Sequence, residues 1–350
     1  MIQGSDLMKT FIIAEAGVNH NGDENLALQL VEVAARCGAD AIKFQTFSAD
    51  RLVRPGAEKA DYQKRETGSG DQYTMLKALE MSESLHYKLF ARCNDLGIEF
   101  MSTPFDKEAA NFLLNLGIRR IKIASGEITN EPFIEFLATK GVPLIVSTGM
   151  ASLEEIQRVV HVIATSRTKA GYEEPLSEVL TILHCTSNYP AQYSDVNLRA
   201  MQTIGDETKL PVGYSDHTLG LAVSTAAVAM GARIIEKHFT LDSNLPGPDH
   251  KASLTPEELM HLVQQIRNVE IALGSPIKQP TESELPVRAL VRRSVTAAHP
   301  LVAGSIIENN DLTLLRPGNG IPPRDLSNVV GKTVLRDISV GTTLQWSDMQ

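Results

Sequence analysis

Only 3 of the 350 residues are cysteine and only 1 is tryptophan. Cys37, Cys93 and Cys185 are odd in number and far apart, so they make no disulfide framework, and no CxxC offers a zinc site. Such cysteine usage suits a reducing compartment, and the cytoplasm is the expected location. Basic residues are in deficit as well: 33 Lys and Arg stand against 42 Asp and Glu, a net charge of −9. Nucleic acid and anionic membranes select basic surfaces, so neither is expected as a partner. Long apolar runs are also missing. The least polar stretch, Leu219 to Ala232, is too short to span a bilayer. The opening MIQGSDLMKTFIIAE holds too short an apolar run for a secretion signal. Finally, the first apolar run leads into Glu15-Ala16-Gly17-Val18-Asn19-His20-Asn21-Gly22 with no GxGxxG, which argues against a doubly wound dinucleotide fold.

What the chain does have is alternation. Eight short apolar runs (11–14, 41–44, 98–102, 120–124, 144–147, 180–185, 212–214 and 234–239) are separated by amphipathic stretches, among them 25–37, 84–96, 107–116, 153–164 and 219–230; a sixth, 256–273, follows the last run. Ser152 before Glu154-Glu155 and Thr255 before Pro256-Glu257-Glu258 read as helix N-caps. Eight strand–helix pairs predict a (β/α)8 TIM barrel over residues 1–274. One connection, Ser48 to about Asp71, exceeds the usual two to six residues and predicts a lid or dimer contact over the barrel mouth. The Pro-rich, aperiodic stretch 275–286 reads as a linker. Residues 287–350 read as a small loop-rich β domain, punctuated by turns such as Arg316-Pro317-Gly318-Asn319-Gly320. Its excess of basic over acidic residues is reversed in the rest of the chain.

Barrel enzymes draw their working groups from the C-terminal strand ends, and side chains two apart share a face. Lys43 and Gln45 share one; Lys122 faces opposite Ile121 and Ile123, hence inward; Glu236 and His238 share one. Ser215 and His217 follow the seventh run. Thr103, Ser125, Glu127 and Ser147 follow the third, fourth and fifth. Glu15 closes the first. Such groups at one rim are too costly to bury without a polar ligand. Two ammoniums with hydroxyls point to a phosphate. Imidazoles on neighbouring strands point to a divalent metal. Carboxylates beside them point to proton transfer. His86, His161, His261 and His299 read as structural, and His20, Asn19 and Asn21 as a turn.

The motifs as a set resemble the N-acetylneuraminate (sialic acid) synthase family, which includes legionaminate and pseudaminate synthases. They are Glu15 to Gly22, Lys43-Phe44-Gln45-Thr46, Ser102-Thr103-Pro104-Phe105, Lys122-Ile123-Ala124-Ser125-Gly126-Glu127, Ser147-Thr148-Gly149-Met150, Tyr214-Ser215-Asp216-His217-Thr218, Glu236-Lys237-His238-Phe239-Thr240, Gly247-Pro248-Asp249-His250 and Arg316 to Gly320. The resemblance implies condensation of phosphoenolpyruvate with an N-acylated mannosamine-type sugar, with release of phosphate. It implies His217 and His238 as ligands of Mn²⁺ or Mg²⁺. Lys43, Lys122, Thr103, Ser125, Ser147 and Ser215 would surround phosphoenolpyruvate. Some members have Asn after the His-Cys-Thr of that wall; this chain has Ser187, then Asn188, and Ser187 is taken as the contact. Gln45, Tyr189, Asp249 and Glu15 would hold the sugar. Glu236 is the candidate acid/base, grouped with Glu15 and Arg316 as catalytic. The family's C-terminal antifreeze-like domain implies a swapped homodimer, in which Arg316 completes the neighbour's site. N-acetylneuraminate is the expected product; a 2,4-diacetamido-trideoxy sugar, giving legionaminate, is the alternative. Two other readings stand beside these: a Schiff-base aldolase using Lys43, Lys122 or Lys237, and a non-catalytic carbohydrate- or ice-binding protein.

Overall fold

The computed structural model describes residues 9–350, so most of the segment examined for a secretion signal lies outside the described residues. The described chain divides into two units, one ending at Gly274 and the other running from Ser275 to Gln350.

In the first unit eight parallel strands follow one another: β1 (Phe11–Gly17), β2 (Ala41–Thr46), β3 (Glu99–Pro104), β4 (Ile121–Ile123), β5 (Leu144–Ser147), β6 (Leu180–Cys185), β7 (Val212–Asp216) and β8 (Ile234–His238). Their ladder order is β3-β2-β1-β8-β7-β6-β5-β4, and β3 packs beside β4 to complete a near-closed TIM-like barrel. Eight main helices alternate with the strands. Two of them, Glu131–Ala138 and Ala200–Thr208, go beyond the stretches named from sequence. Both are short, of eight and nine residues, so each spans little more than two turns and its apolar spacing repeats too few times to stand out. The caps read from sequence are present: Ser152 and Thr255 each accept from the backbone N–H three residues on, and Glu155 and Glu258 reach back.

The two faces of the strands divide the chemistry. Outward residues such as Ile12, Ile42, Phe100, Ile121, Ile123, Val146, Ile182 and Ile235 bury against the helices. Inward, Ile13, Ala41, Met101, Ile145, Leu183 and Ile234 form an apolar floor. Two residues further along each strand, on the same face, stand Glu15, Lys43, Thr103, Ser147, Cys185 and Glu236. The floor excludes water from below, and the polar layer above it becomes the site.

The long β2 connection holds short helices, Ala49–Leu52, Asp61–Thr67 and Gln72–Lys77. Its Leu52, Met75 and Leu76 pack with Phe105 on Val18, Phe47 and Leu79.

In the second unit β9 (Ser294–Ala297) pairs antiparallel with β10 (Leu312–Leu315). Val295, Leu301, Ile321, Val334 and Leu344 are among its core residues. One correction concerns the linker: a helix, Glu284–Val291, begins inside 275–286. Pro286 suggests a break, but it sits in the first turn, where the missing N–H costs nothing.

Candidate active site

The barrel rim brings together nearly every barrel residue singled out from sequence. Lys43 Nζ lies 2.7 Å from Glu15 Oε2, 3.1 Å from Thr103 Oγ1 and 3.7 Å from Glu236 Oε2. Lys122 Nζ lies 3.4 Å from Glu236 Oε1, which also accepts from Ser215 Oγ at 3.0 Å. All four charged groups are buried. Removing one partner from such a cluster leaves a buried charge uncompensated, at a cost of about 3–5 kcal/mol.

The two carboxyls are driven apart. Burial raises Glu15 to about 7, because the opposing Lys43 ammonium only partly offsets it and Glu236 adds to it. Burial also pushes Glu236 up, but Lys122 and Lys43 outweigh it and hold the group at about 2. Two carboxyls with separated affinities in one site are the usual signature of distinct acid and base roles. Lys43 is lowered by burial yet held above its ordinary value by Glu15 and Glu236. Lys122 is lowered, chiefly by burial. Lys237, the third lysine of the Schiff-base reading, points the other way: its Nζ is buried 2.7 Å from Asp216 Oδ2 and 2.8 Å from the Thr218 carbonyl. Asp216 is further tied by Thr218 and Ser224, which makes this a structural clasp.

His217 and His238 face each other with ring centroids 5.5 Å apart. His217 Nδ1 stands 2.7 Å from the Thr186 carbonyl. A carbonyl can only accept, so Nδ1 carries the hydrogen and Nε2 keeps its lone pair. Burial lowers both imidazoles, His238 further than His217. Among the described residues no group of three or more His, Cys, Asp or Glu is poised around a metal. The pair nonetheless fits one ion: with metal–nitrogen bonds of about 2 Å, two rings at this separation can share it. His238 Nδ1 is also buried with no hydrogen-bond partner, as are Ser147 Oγ and Glu236 Oε2. Unsatisfied buried polar atoms in one place mark where a polar ligand belongs.

Gly17 allows this crowding. Its φ is +54°, and a Cβ there would stand 3.3 Å from His238, 3.4 Å from Glu15 and 3.5 Å from Gln45. Those three contacts place Gln45 with Glu15 and His238. On the opposite wall Ser125 Oγ accepts from the Gly149 N–H at 3.0 Å and lies 3.2 Å from Cys185 Sγ. A Cβ at Gly149 would run into Ser187 Oγ. Ser187, Ser125 and Cys185 therefore meet over a bare glycine, while Asn188 is exposed and its Oδ1 caps the Tyr189 N–H. Tyr189 packs its ring 4.2 Å from His217 and 5.6 Å from His238. Asp249 is buried in the loop after β8, and burial raises its carboxyl to about 6. That loop is held by the turn after β1: Asn21 Nδ2 donates to the Pro246 carbonyl, and Asn21 Oδ1 meets His250 Nε2. The Asn19–Asn21 turn thus positions Asp249. Gly247, at φ +150° with His250 and Asn21 against it, has no room for a side chain.

Two sequence expectations fall elsewhere. Glu127 turns aside to accept from Asn130. Arg316 belongs to the second unit, exposed just after β10, and is described with that unit alone. His86 is structural, bonded to Thr46 and the Ser82 carbonyl. Two residues escaped the sequence reading. Cys185 was weighed only as a disulfide or zinc candidate, although it stands two places after Leu183 and so faces inward. Tyr62, which stacks on Tyr189, gives no local signal because the contact is purely tertiary.

Residues 30–278 match the NeuB family and residues 292–350 the SAF domain. An N,N'-diacetyllegionaminic acid synthase of Legionella pneumophila is 57% identical over 98% of this chain and 95% of its own length. One of Campylobacter jejuni is 45% identical over 95% and 97%. A crystal structure of an N-acetylneuraminic acid synthetase from Leptospira borgpetersenii superposes with a TM-score of 0.68 at 35% identity, covering 80% of this chain and 90% of that one.

Proposed function

This chain belongs to the NeuB family and ends in a SAF domain, and from that premise we propose that it condenses phosphoenolpyruvate with a 2,4-diacetamido-trideoxy hexose to give a legionaminate-type nine-carbon acid. The observation that carries the chemistry is the convergence of two buried ammoniums, two neutral imidazoles and two carboxyls of separated affinity on one rim. For the sugar, relatives at 57% and 45% identity both bear the diacetyllegionaminic name. This favours the alternative over the N-acetylneuraminate product expected from sequence.

In this reading Lys43, Lys122, Thr103, Ser125 and Ser147 hold the phosphate and carboxylate of phosphoenolpyruvate, with Ser187 on the same wall. Gln45, Tyr189 and Asp249 hold the open-chain sugar. His217 and His238 would hold a divalent ion, which when bound supplies Lewis-acid polarisation of the sugar aldehyde. C3 of phosphoenolpyruvate forms the new bond to the aldehyde carbon, using the C2–C3 π pair, and the aldehyde oxygen becomes a hydroxyl with a proton given by Glu15, whose affinity burial raises to about 7. C2 is left as an oxocarbenium, stabilised by the Glu236 carboxylate. Water adds at C2 and loses its proton; Glu15, near neutrality in affinity, is placed to take it. The C2–O bond to the phosphate then breaks, the proton of the new C2 hydroxyl passes to the departing phosphate, and C2 becomes a ketone. Holding both reactants in near-attack geometry supplies much of the rate.

Phosphate release with each sugar tests the assignment. The diacetamido-trideoxy hexose should exceed N-acetylmannosamine in kcat/KM by tenfold or more; preference for N-acetylmannosamine would contradict it. The reading also includes a homodimer in which Arg316 of one chain completes the other chain's site. Mixing Arg316→Ala with His217→Ala chains should then recover part of the activity that each lacks alone. No recovery would rule out the exchange.

A further inference from the structure

We infer that Tyr62 and Tyr189 form the selectivity wall for the far end of the acceptor, recognising its 4-acetamido and 6-deoxy groups on the outer face of the Tyr62 ring and the edge of Tyr189 beside it. The inference rests on the acceptor assignment just made. Tyr62 lies on the helix Asp61–Thr67, in the long segment after β2. Its ring stacks on Tyr189 with centroids 5.0 Å and planes 29° apart. Tyr189 in turn lies 4.2 Å from His217. A column of rings therefore runs from the imidazole pair outward.

The segment holds Tyr62 from several directions. Lys59 is buried, and its Nζ donates to Thr67 Oγ1 at 2.9 Å and to the Gly68 and Ser69 carbonyls at 3.3 Å. Gln63 Oε1 accepts from the Ala60 N–H, and its Nε2 donates to the Tyr62 hydroxyl at 3.4 Å. Burial, and then the charge of the Asp249 carboxylate, raise the two phenols and keep them protonated.

The chemistry follows from direction. With its aldehyde at the imidazoles, an acceptor lying along this column brings C4 to C6 to the Tyr62 ring. A diacetamido-trideoxy hexose carries methyl groups there, on the acetamide and at C6, while its amide N–H can donate to Asp249. N-acetylmannosamine carries hydroxyls at those positions. Aromatic faces reward methyl groups with burial but strip water from hydroxyls without replacing its hydrogen bonds.

Phosphate release by the full-length protein, with phosphoenolpyruvate and each sugar in turn, gives kcat/KM for wild type, Tyr62→Ala and Tyr62→Phe. The ratio favouring the diacetamido sugar should fall about tenfold or more in Tyr62→Ala, in line with the worth of an apolar contact or two. The loss should fall on the KM for the sugar, with little change in the KM for phosphoenolpyruvate, and Tyr62→Phe should keep the ratio because the ring carries it. An unchanged ratio, an equal loss on both sugars, or a Phe variant that behaves like Ala overturns the inference. A wild type that prefers N-acetylmannosamine is a separate failure: it defeats the acceptor assignment, and this inference with it, before any variant is made.

Discussion

Chelation of divalent ions, or replacement of either His217 or His238 by alanine, should lower turnover by roughly a thousandfold, the worth of several kcal/mol of Lewis-acid stabilisation. Mn²⁺ or Mg²⁺ should restore the chelated wild type and not the variants; imidazole ligands suit Mn²⁺ better. The Thr186 carbonyl fixes the His217 tautomer so that Nε2 is a bare donor. Burial keeps both rings neutral at pH 7, as a ligand must be. His238 Nδ1 has no hydrogen-bond partner among the described residues. Histidines serving only as packing would show none of this convergence, and their loss would be read in stability rather than in turnover. Full activity after exhaustive chelation would therefore remove the metal from the account.

The second large effect is on stability, and its sign is opposite to that of most substitutions at a buried position. Asp249 is buried without an ion-pair partner among the described residues, and its carboxyl is raised from 3.8 to about 6 by burial. The native state then holds a proton that the unfolded chain has already lost. Stability from this group is greatest below about pH 4, falls as pH rises through the window from about 4 to about 6, and stays low above it. A shift of that size corresponds to about 3 kcal/mol. Asp249→Asn should thus be more stable than wild type by up to about 3 kcal/mol at pH 7.5 and equal to it near pH 4, while losing kcat/KM for the sugar. Denaturant titrations at the two pH values check this. A variant less stable at pH 7.5, or a difference independent of pH, would show that the Asp249 carboxylate is satisfied in a way the geometry does not reveal. A residue that costs stability and remains is a mark of function.

Much of this was legible in the chain. Period-two alternation was enough to turn Lys43, Lys122, Glu236 and His238 toward one cavity, because a strand buried on both faces shows its polar residues as breaks in an apolar run. Capping residues located the helices Leu153–Lys169 and Pro256–Leu273. The same rule, carried one strand further, places Cys185 beside Ser125. What the chain hid depends on contacts between distant segments. Tyr62 reaches Tyr189 only because Lys59 gathers the turn at 67–69. The roles of Asn19 and Asn21 appear only when the loop after β8 comes to rest on them. The acceptor sugar was not legible either, since Tyr62, Tyr189 and Asp249, the residues proposed to meet it, come from three separate loops.

Titration of the metal-free protein with Mn²⁺, followed by electron paramagnetic resonance of the free ion, tests the central claim most directly. The account predicts one bound ion per chain in wild type, none of comparable affinity in His217→Ala or His238→Ala, and thermal unfolding of both variants close to that of the wild-type apoprotein. Wild type that binds no ion, or variants that bind it as wild type does, would contradict it.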